Sequence, residues 1–89
     1  MAWVIELDRA AERELDKLDP QVARRILAFL YERLAQSDDP RSLGEALAGS
    51  TLGGFWKYRV GDYRVITSIE DGKLTVLVLK IGNRREVYR

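Results

Sequence analysis

Residues 55–69 read Phe55-Trp-Lys-Tyr-Arg-Val-Gly-Asp-Tyr-Arg-Val-Ile-Thr-Ser-Ile69, two runs of aromatic and β-branched residues separated by Gly61-Asp62. That pattern predicts a β-hairpin with a two-residue turn. A turn this tight sets Val60 against Tyr63, Arg59 against Arg64 and Tyr58 against Val65. Side chains alternate along a strand, so Lys57, Arg59 and Arg64 share one face, while Trp56, Tyr58, Val60, Tyr63 and Val65 share the other. Two arginines directly opposite one another repel, at a cost of roughly 0.2–1 kcal/mol. A sheet that tolerates this on one face and is apolar on the other is built to meet something negative.

The segments around the hairpin supply the remaining elements. Downstream, Asp71-Gly72 predicts a second tight turn into Lys73-Leu-Thr-Val-Leu-Val-Leu-Lys-Ile81, a run apolar enough for a central strand. Continuing the register across that turn pairs Val65 with Val78 and Arg64 with Leu79, and adds Ile66, Leu77 and Leu79 to the cationic face. Upstream, Trp3–Leu7 alternates as a first strand. Asp8 is placed to cap a helix over about 9–18, with Ala11, Leu15 and Leu18 on one stripe. Asp19-Pro20 restarts a second helix that runs to about Gln36. There Val22, Ile26, Phe29, Leu30 and Leu34 recur at helical spacing, and Arg24, Arg25, Glu32 and Arg33 take the outer face. Residues 37–54 lack sustained periodicity and read as a long loop anchored by Leu43, Leu47 and Leu52; loops of this length are often functional. The order strand, helix, helix, three strands predicts an α+β fold. It is a small antiparallel sheet of about four strands with an N-terminal helical hairpin on one face.

The chain has 89 residues, which is one small domain spanning residues 1–89. Its 15 basic and 14 acidic side chains nearly cancel, but they are unevenly placed. Residues 1–44 hold seven Lys/Arg and nine Asp/Glu, whereas residues 45–89 hold eight and five. The C-terminal half therefore leans towards polyanions. Cysteine and histidine are both absent, which removes disulfides, thiolate chemistry, the commonest acid–base group and the commonest transition-metal ligand. Catalysis in such a chain runs on Lys, Arg, Tyr, Asp or Glu, and neither a metal nor an organic cofactor is expected. No apolar run reaches the length of a membrane span, and Glu6 and Asp8 follow too soon for a signal peptide. The expected location is cytoplasmic.

Two stretches carry a family resemblance. The run Leu47-Ala-Gly-Ser-Thr-Leu-Gly-Gly-Phe-Trp-Lys-Tyr-Arg-Val-Gly-Asp-Tyr-Arg-Val-Ile66, together with Ile81-Gly-Asn-Arg-Arg-Glu-Val-Tyr88, resembles the RelE branch of the RelE/ParE toxin superfamily. The likeness extends to length and element order. It implies a toxin of a type II toxin–antitoxin system that cuts mRNA in the ribosomal A site. In that reaction the ribose 2′-hydroxyl attacks its own 3′-phosphate, leaving a 2′,3′-cyclic phosphate and a free 5′-hydroxyl. A nucleophile supplied by the RNA suits a chain without histidine, because the protein has only to orient the strand, assist proton transfer and neutralise charge on phosphorus.

The resemblance also assigns residues. Arg64 matches the arginine that holds the phosphate in the transition state, where a guanidinium fork grips two oxygens. Arg84 matches the arginine that helps the leaving 5′-oxygen, and Tyr88 the C-terminal tyrosine that stacks on or orients a base. Lys57 and Arg59 occupy the two basic positions of the preceding strand. Lysine is able to act as a base among crowded cations, whereas a guanidinium stays protonated and serves for RNA binding. Arg85 is a further RNA-binding position beside Arg84. Glu45 stands near the place where a related branch uses a glutamate as base, which ranks it behind Lys57 for that role, and Asn83 stands where many relatives carry histidine. The partners implied are a RelB-like antitoxin, the ribosome and mRNA, with DNA reached only through the antitoxin. Two other functions share the fold: a ParE-type inhibitor of DNA gyrase, and an inert antitoxin-binding module.

Overall fold

The computed structural model describes residues 2–47 and 54–83. Strand β1 (Val4–Leu7) leads into helix α1 (Arg9–Lys17) and helix α2 (Pro20–Ala28). Three strands follow, β3 (Phe55–Val60), β4 (Tyr63–Glu70) and β5 (Thr75–Asn83), and a short β2 (Glu45–Ala46) precedes them. The helix boundaries follow from local chemistry. Asp8 caps α1 by accepting from the Ala10 amide at 3.1 Å, and Pro20 opens α2 where no amide hydrogen is required. Beyond Ala28 the second helix widens into a π-helical turn over Phe29–Leu34. This carries Leu30 and Leu34 into the core, where both are fully buried.

The sheet has five strands in the order β1-β5-β4-β3-β2. It is mixed, because β1 runs parallel to β5, with Ile5 beside Val76 and Leu7 beside Val78. This corrects the expectation of about four antiparallel strands. A parallel partner reached through two helices leaves no local turn signal, and a two-residue strand is too short to show alternation. The α+β class stands. Val65, Ile69, Val76, Val78 and Ile81 face Ala11, Leu15, Ile26, Leu30 and Leu34 in one core. Each fully buried aliphatic side chain there contributes about 1.5–3 kcal/mol. Among the described residues, no helix is long and apolar enough to cross a membrane.

The β3–β4 hairpin has the register read from its turn: Val60 opposite Tyr63, Arg59 opposite Arg64, Tyr58 opposite Val65. Gly61, at φ +59°, supplies the left-handed residue that such a turn requires. The second turn differs. Residues Asp71–Lys73 form a 3-10 turn, and Leu74, not Gly72, takes the left-handed conformation at φ 48°. Glu70 then pairs with Thr75, and a bulge at Ile66/Thr67 leaves Leu79 between the partners Val78 and Lys80. Val65 therefore pairs with Ile81, and Arg64 with Gly82. The predicted pairings with Val78 and Leu79 are corrected. A longer turn and an extra residue each moved the register, and sequence alternation alone registers neither.

Candidate functional site

Strand alternation sends Lys57, Arg59, Arg64 and Ile66 to the sheet face away from the helices. The neighbour of Arg64 in β5 is Gly82, which has no side chain to crowd it. Strand β2 brings one more group to this face, since Glu45 lies directly opposite Lys57. The result is a cleft of ≈200 Å³ lined by Gly44, Glu45, Lys57, Tyr58, Arg59 and Arg64.

Within it, Lys57 Nζ lies 3.7 Å from Glu45 Oε2. The pair is largely solvated on the glutamate side, so it contributes little to stability, about 0–1 kcal/mol. Its importance is positional: a carboxylate stands beside three cations. Arg64 Nη1 donates to the Tyr63 carbonyl at 3.3 Å.

The segment that delivers Glu45 is strapped to the sheet. Pro40–Leu43 forms a 3-10 turn, and the buried Tyr58 hydroxyl donates to the Pro40 carbonyl at 2.9 Å. Burial pushes the Tyr58 phenol up to about 12, with lesser opposing effects from Thr67 and Arg41. It is therefore a fixed donor and not a base. Arg41 forks onto Asp71 through two bonds of 2.9 and 2.6 Å, and its guanidinium also lies over the Trp56 ring at 5.8 Å. Those bonds hold the Asp71 carboxyl below its ordinary value. Gly44 completes the strap. A Cβ there would lie 2.6 Å from the Lys57 carbonyl oxygen and 2.6 Å from the Tyr58 ring, so only glycine lets this segment sit so close.

Of the site residues read from sequence, Glu45, Lys57, Arg59 and Arg64 come together in this cleft. Arg84, Arg85 and Tyr88 lie outside the described residues. Asn83 pairs with Tyr63 and so sits on the helix-side register, not on that of Arg64. The strap of Pro40, Arg41, Gly44, Tyr58 and Asp71 was not read from sequence. Its only sequence signal was a glycine followed by an acid inside an otherwise featureless loop.

The chain is similar to known toxins in both sequence and structure. A family model for the ParE toxin of type II toxin–antitoxin systems matches residues 5–88. The toxin RelG of Mycobacterium tuberculosis is 29% identical over 89 residues, covering 100% of this chain and 99% of that protein. The toxin RelE of the same organism is 32% identical over 85 residues, covering 96% of this chain and 84% of that one. In three dimensions, a chain of the toxin–antitoxin complex RelBE2 from Mycobacterium tuberculosis superposes with a TM-score of 0.84. Its sequence identity is 27%, with 97% of this chain and 95% of that one covered.

Proposed function

Since the chain belongs to the RelE/ParE family of type II toxin–antitoxin toxins, we propose that residues 1–89 act as one toxin domain, a ribosome-dependent endoribonuclease that cuts mRNA in the A site. The observation that carries this reading is the convergence of Lys57, Arg59, Arg64 and Glu45 on one cleft. A gyrase inhibitor has no need of such a constellation.

The chemistry assigned to the cleft is transesterification. A base takes the proton of a ribose 2′-hydroxyl, the 2′-oxygen bonds to the adjacent phosphorus, and the bond from phosphorus to the 5′-oxygen breaks. A proton delivered to that oxygen completes a 2′,3′-cyclic phosphate and a free 5′-hydroxyl. Arg64 clamps the non-bridging oxygens as charge builds on them. Arg59 holds the strand electrostatically. Glu45 is the one carboxylate among the lining residues, and its Oε2 lies 3.7 Å from Lys57 Nζ. We therefore assign proton removal to Glu45 and charge neutralisation to Lys57. Arg84 is assigned to the leaving oxygen, Tyr88 to the base and Arg85 to the flanking strand, as the resemblance implies.

The partner proposed is a RelB-like antitoxin, supported by the likeness to a toxin crystallised in a RelBE2 toxin–antitoxin complex. DNA is reached only through it. Leu77 on the helix-free face and Leu79 beside α1, both half-buried, offer it apolar contact, whereas Ile66 is buried.

Induced expression tests the reading. Growth should arrest, Arg64→Ala should relieve the arrest while the protein stays folded, and primer extension should find cuts within ribosome-bound codons. The family model carries the ParE name, which favours gyrase as the second reading. Uncut messages with accumulated gyrase-linked DNA breaks would establish it.

A further inference from the structure

Strand β2 covers β3 only opposite Trp56 and Lys57. Among the described residues, Arg59 and Val60 are left at an open sheet edge, where the cationic face turns towards α2. A second groove of ≈350 Å³ lies there, between the hairpin and the helix. Arg59 lines both this groove and the cleft, so one residue borders the two.

The groove is cationic by construction. Arg25, Phe29 and Arg33 recur at helical spacing along its helical wall. The Arg33 guanidinium sits 5.7 Å over the Phe29 ring, and the Arg25 guanidinium lies against the hairpin tip. A Cβ on Gly61 would be 3.4 Å from Arg25 Nη2, an ordinary contact distance that places the guanidinium against the turn. Three guanidiniums thus line the groove against one carboxylate, Glu32. Asp62 lies beyond Arg25 in an adjoining crevice.

We propose that this groove binds the phosphodiester backbone of the same single-stranded message held in the cleft, with Arg59 as the hinge and Arg25 and Arg33 taking flanking phosphates. The proposal rests on the endoribonuclease reading for its substrate. Arg59 as a shared border argues for one strand crossing both sites, and three guanidiniums argue for phosphates over bases. The Phe29 ring under Arg33 adds a cation–π contact that steadies the guanidinium at the groove wall.

Fluorescence anisotropy with labelled oligoadenylates tests it on the free toxin, with no cleavage required. One probe is a dinucleotide and the other has about twelve nucleotides, a length in the range of single-strand sites. The double variant Arg25→Gln/Arg33→Gln should bind the long strand more weakly than wild type. The slope of log affinity against log salt should fall by about 1.4, at about 0.7 for each lost phosphate contact, while dinucleotide binding is unchanged. Arg24→Gln, on the same helix but outside the groove, should bind both probes like wild type, with circular dichroism confirming the fold of each variant. An unaltered salt slope in the double variant would overturn the proposal. So would a defect seen only on ribosomes and never with free strands, since that would assign the groove to ribosomal RNA. If the groove variants behave as stated but wild-type toxin cuts no message on ribosomes, the endoribonuclease reading fails and the groove stands.

Discussion

Arg59 and Arg64 face each other directly across the β3–β4 hairpin, two like charges in adjacent strands that line one cleft with Glu45. Such an arrangement costs the free protein stability and is relieved by an anion. Replacing either arginine with glutamine should therefore leave the melting temperature unchanged or raise it, by an amount corresponding to about 0.2–1 kcal/mol. Arg64→Gln should lose growth arrest at the same time. A stability gain paired with loss of function, measured by thermal unfolding and by plating, separates a binding charge from a structural one.

The strap predicts a similar separation at Gly44. Alanine there would place Cβ 2.6 Å from the backbone oxygen of Lys57, and backbone cannot give way as a flexible side chain does. Gly44→Ala should cost about 1–3 kcal/mol and lift β2 from β3, moving Glu45 away from Lys57. Hydrogen exchange should show protection lost at Glu45 and Ala46 while the Arg59–Arg64 pairing is retained. Toxicity should drop well below what the stability loss accounts for.

Tyr58 makes a pH signature. Its phenol is held protonated up to about 12 in the folded chain against 10.0 when unperturbed. Between those values the unfolded chain has released the proton and the native chain has not, so stability declines as pH rises from 10 towards 12. Below pH 10 the contribution is fully present. Tyr58→Phe should flatten this decline in urea titrations. At neutral pH it should cost about 1–3 kcal/mol, because the buried Pro40 carbonyl loses its donor.

The second turn holds a correctable strain. Leu74 sits at φ 48° with 37% of its surface exposed, so glycine there loses only the packed part of the side chain. Leu74→Gly should relieve roughly 1–2 kcal/mol of left-handed strain, partly offset by the greater freedom of glycine in the unfolded chain. A rise in melting temperature with unchanged toxicity is the expected outcome.

The parts of this fold legible in sequence are those governed by neighbours along the chain. Gly61-Asp62 sets the hairpin register, and a period of two then places Lys57, Arg59 and Arg64 on one face. Asp8 and Pro20 likewise marked their helices. What escaped depended on distance or on exceptions to period. The parallel pairing of β1 with β5 joins residues some seventy positions apart. The bulge at Leu79 breaks alternation inside a uniformly apolar run. Glu45 was reached through resemblance, but its approach to Lys57 depends on the missing Cβ of Gly44. Arg25 and Arg33 were placed correctly on the outer helical face. That this face meets the hairpin tip, and is not simply solvated, follows from how far β3 extends past β2.

The central claim is that this cleft promotes attack by the RNA's own 2′-hydroxyl, with Arg64 holding the phosphate. Ribosomes programmed with a message carrying a single 2′-deoxynucleotide on the 5′ side of the mapped cut test it most directly. Wild-type toxin should cut the all-ribose message to a 2′,3′-cyclic phosphate and leave the deoxy-substituted bond intact, and folded Arg64→Ala should cut neither. Cleavage at the deoxy position, or undiminished cutting by Arg64→Ala, would contradict the account.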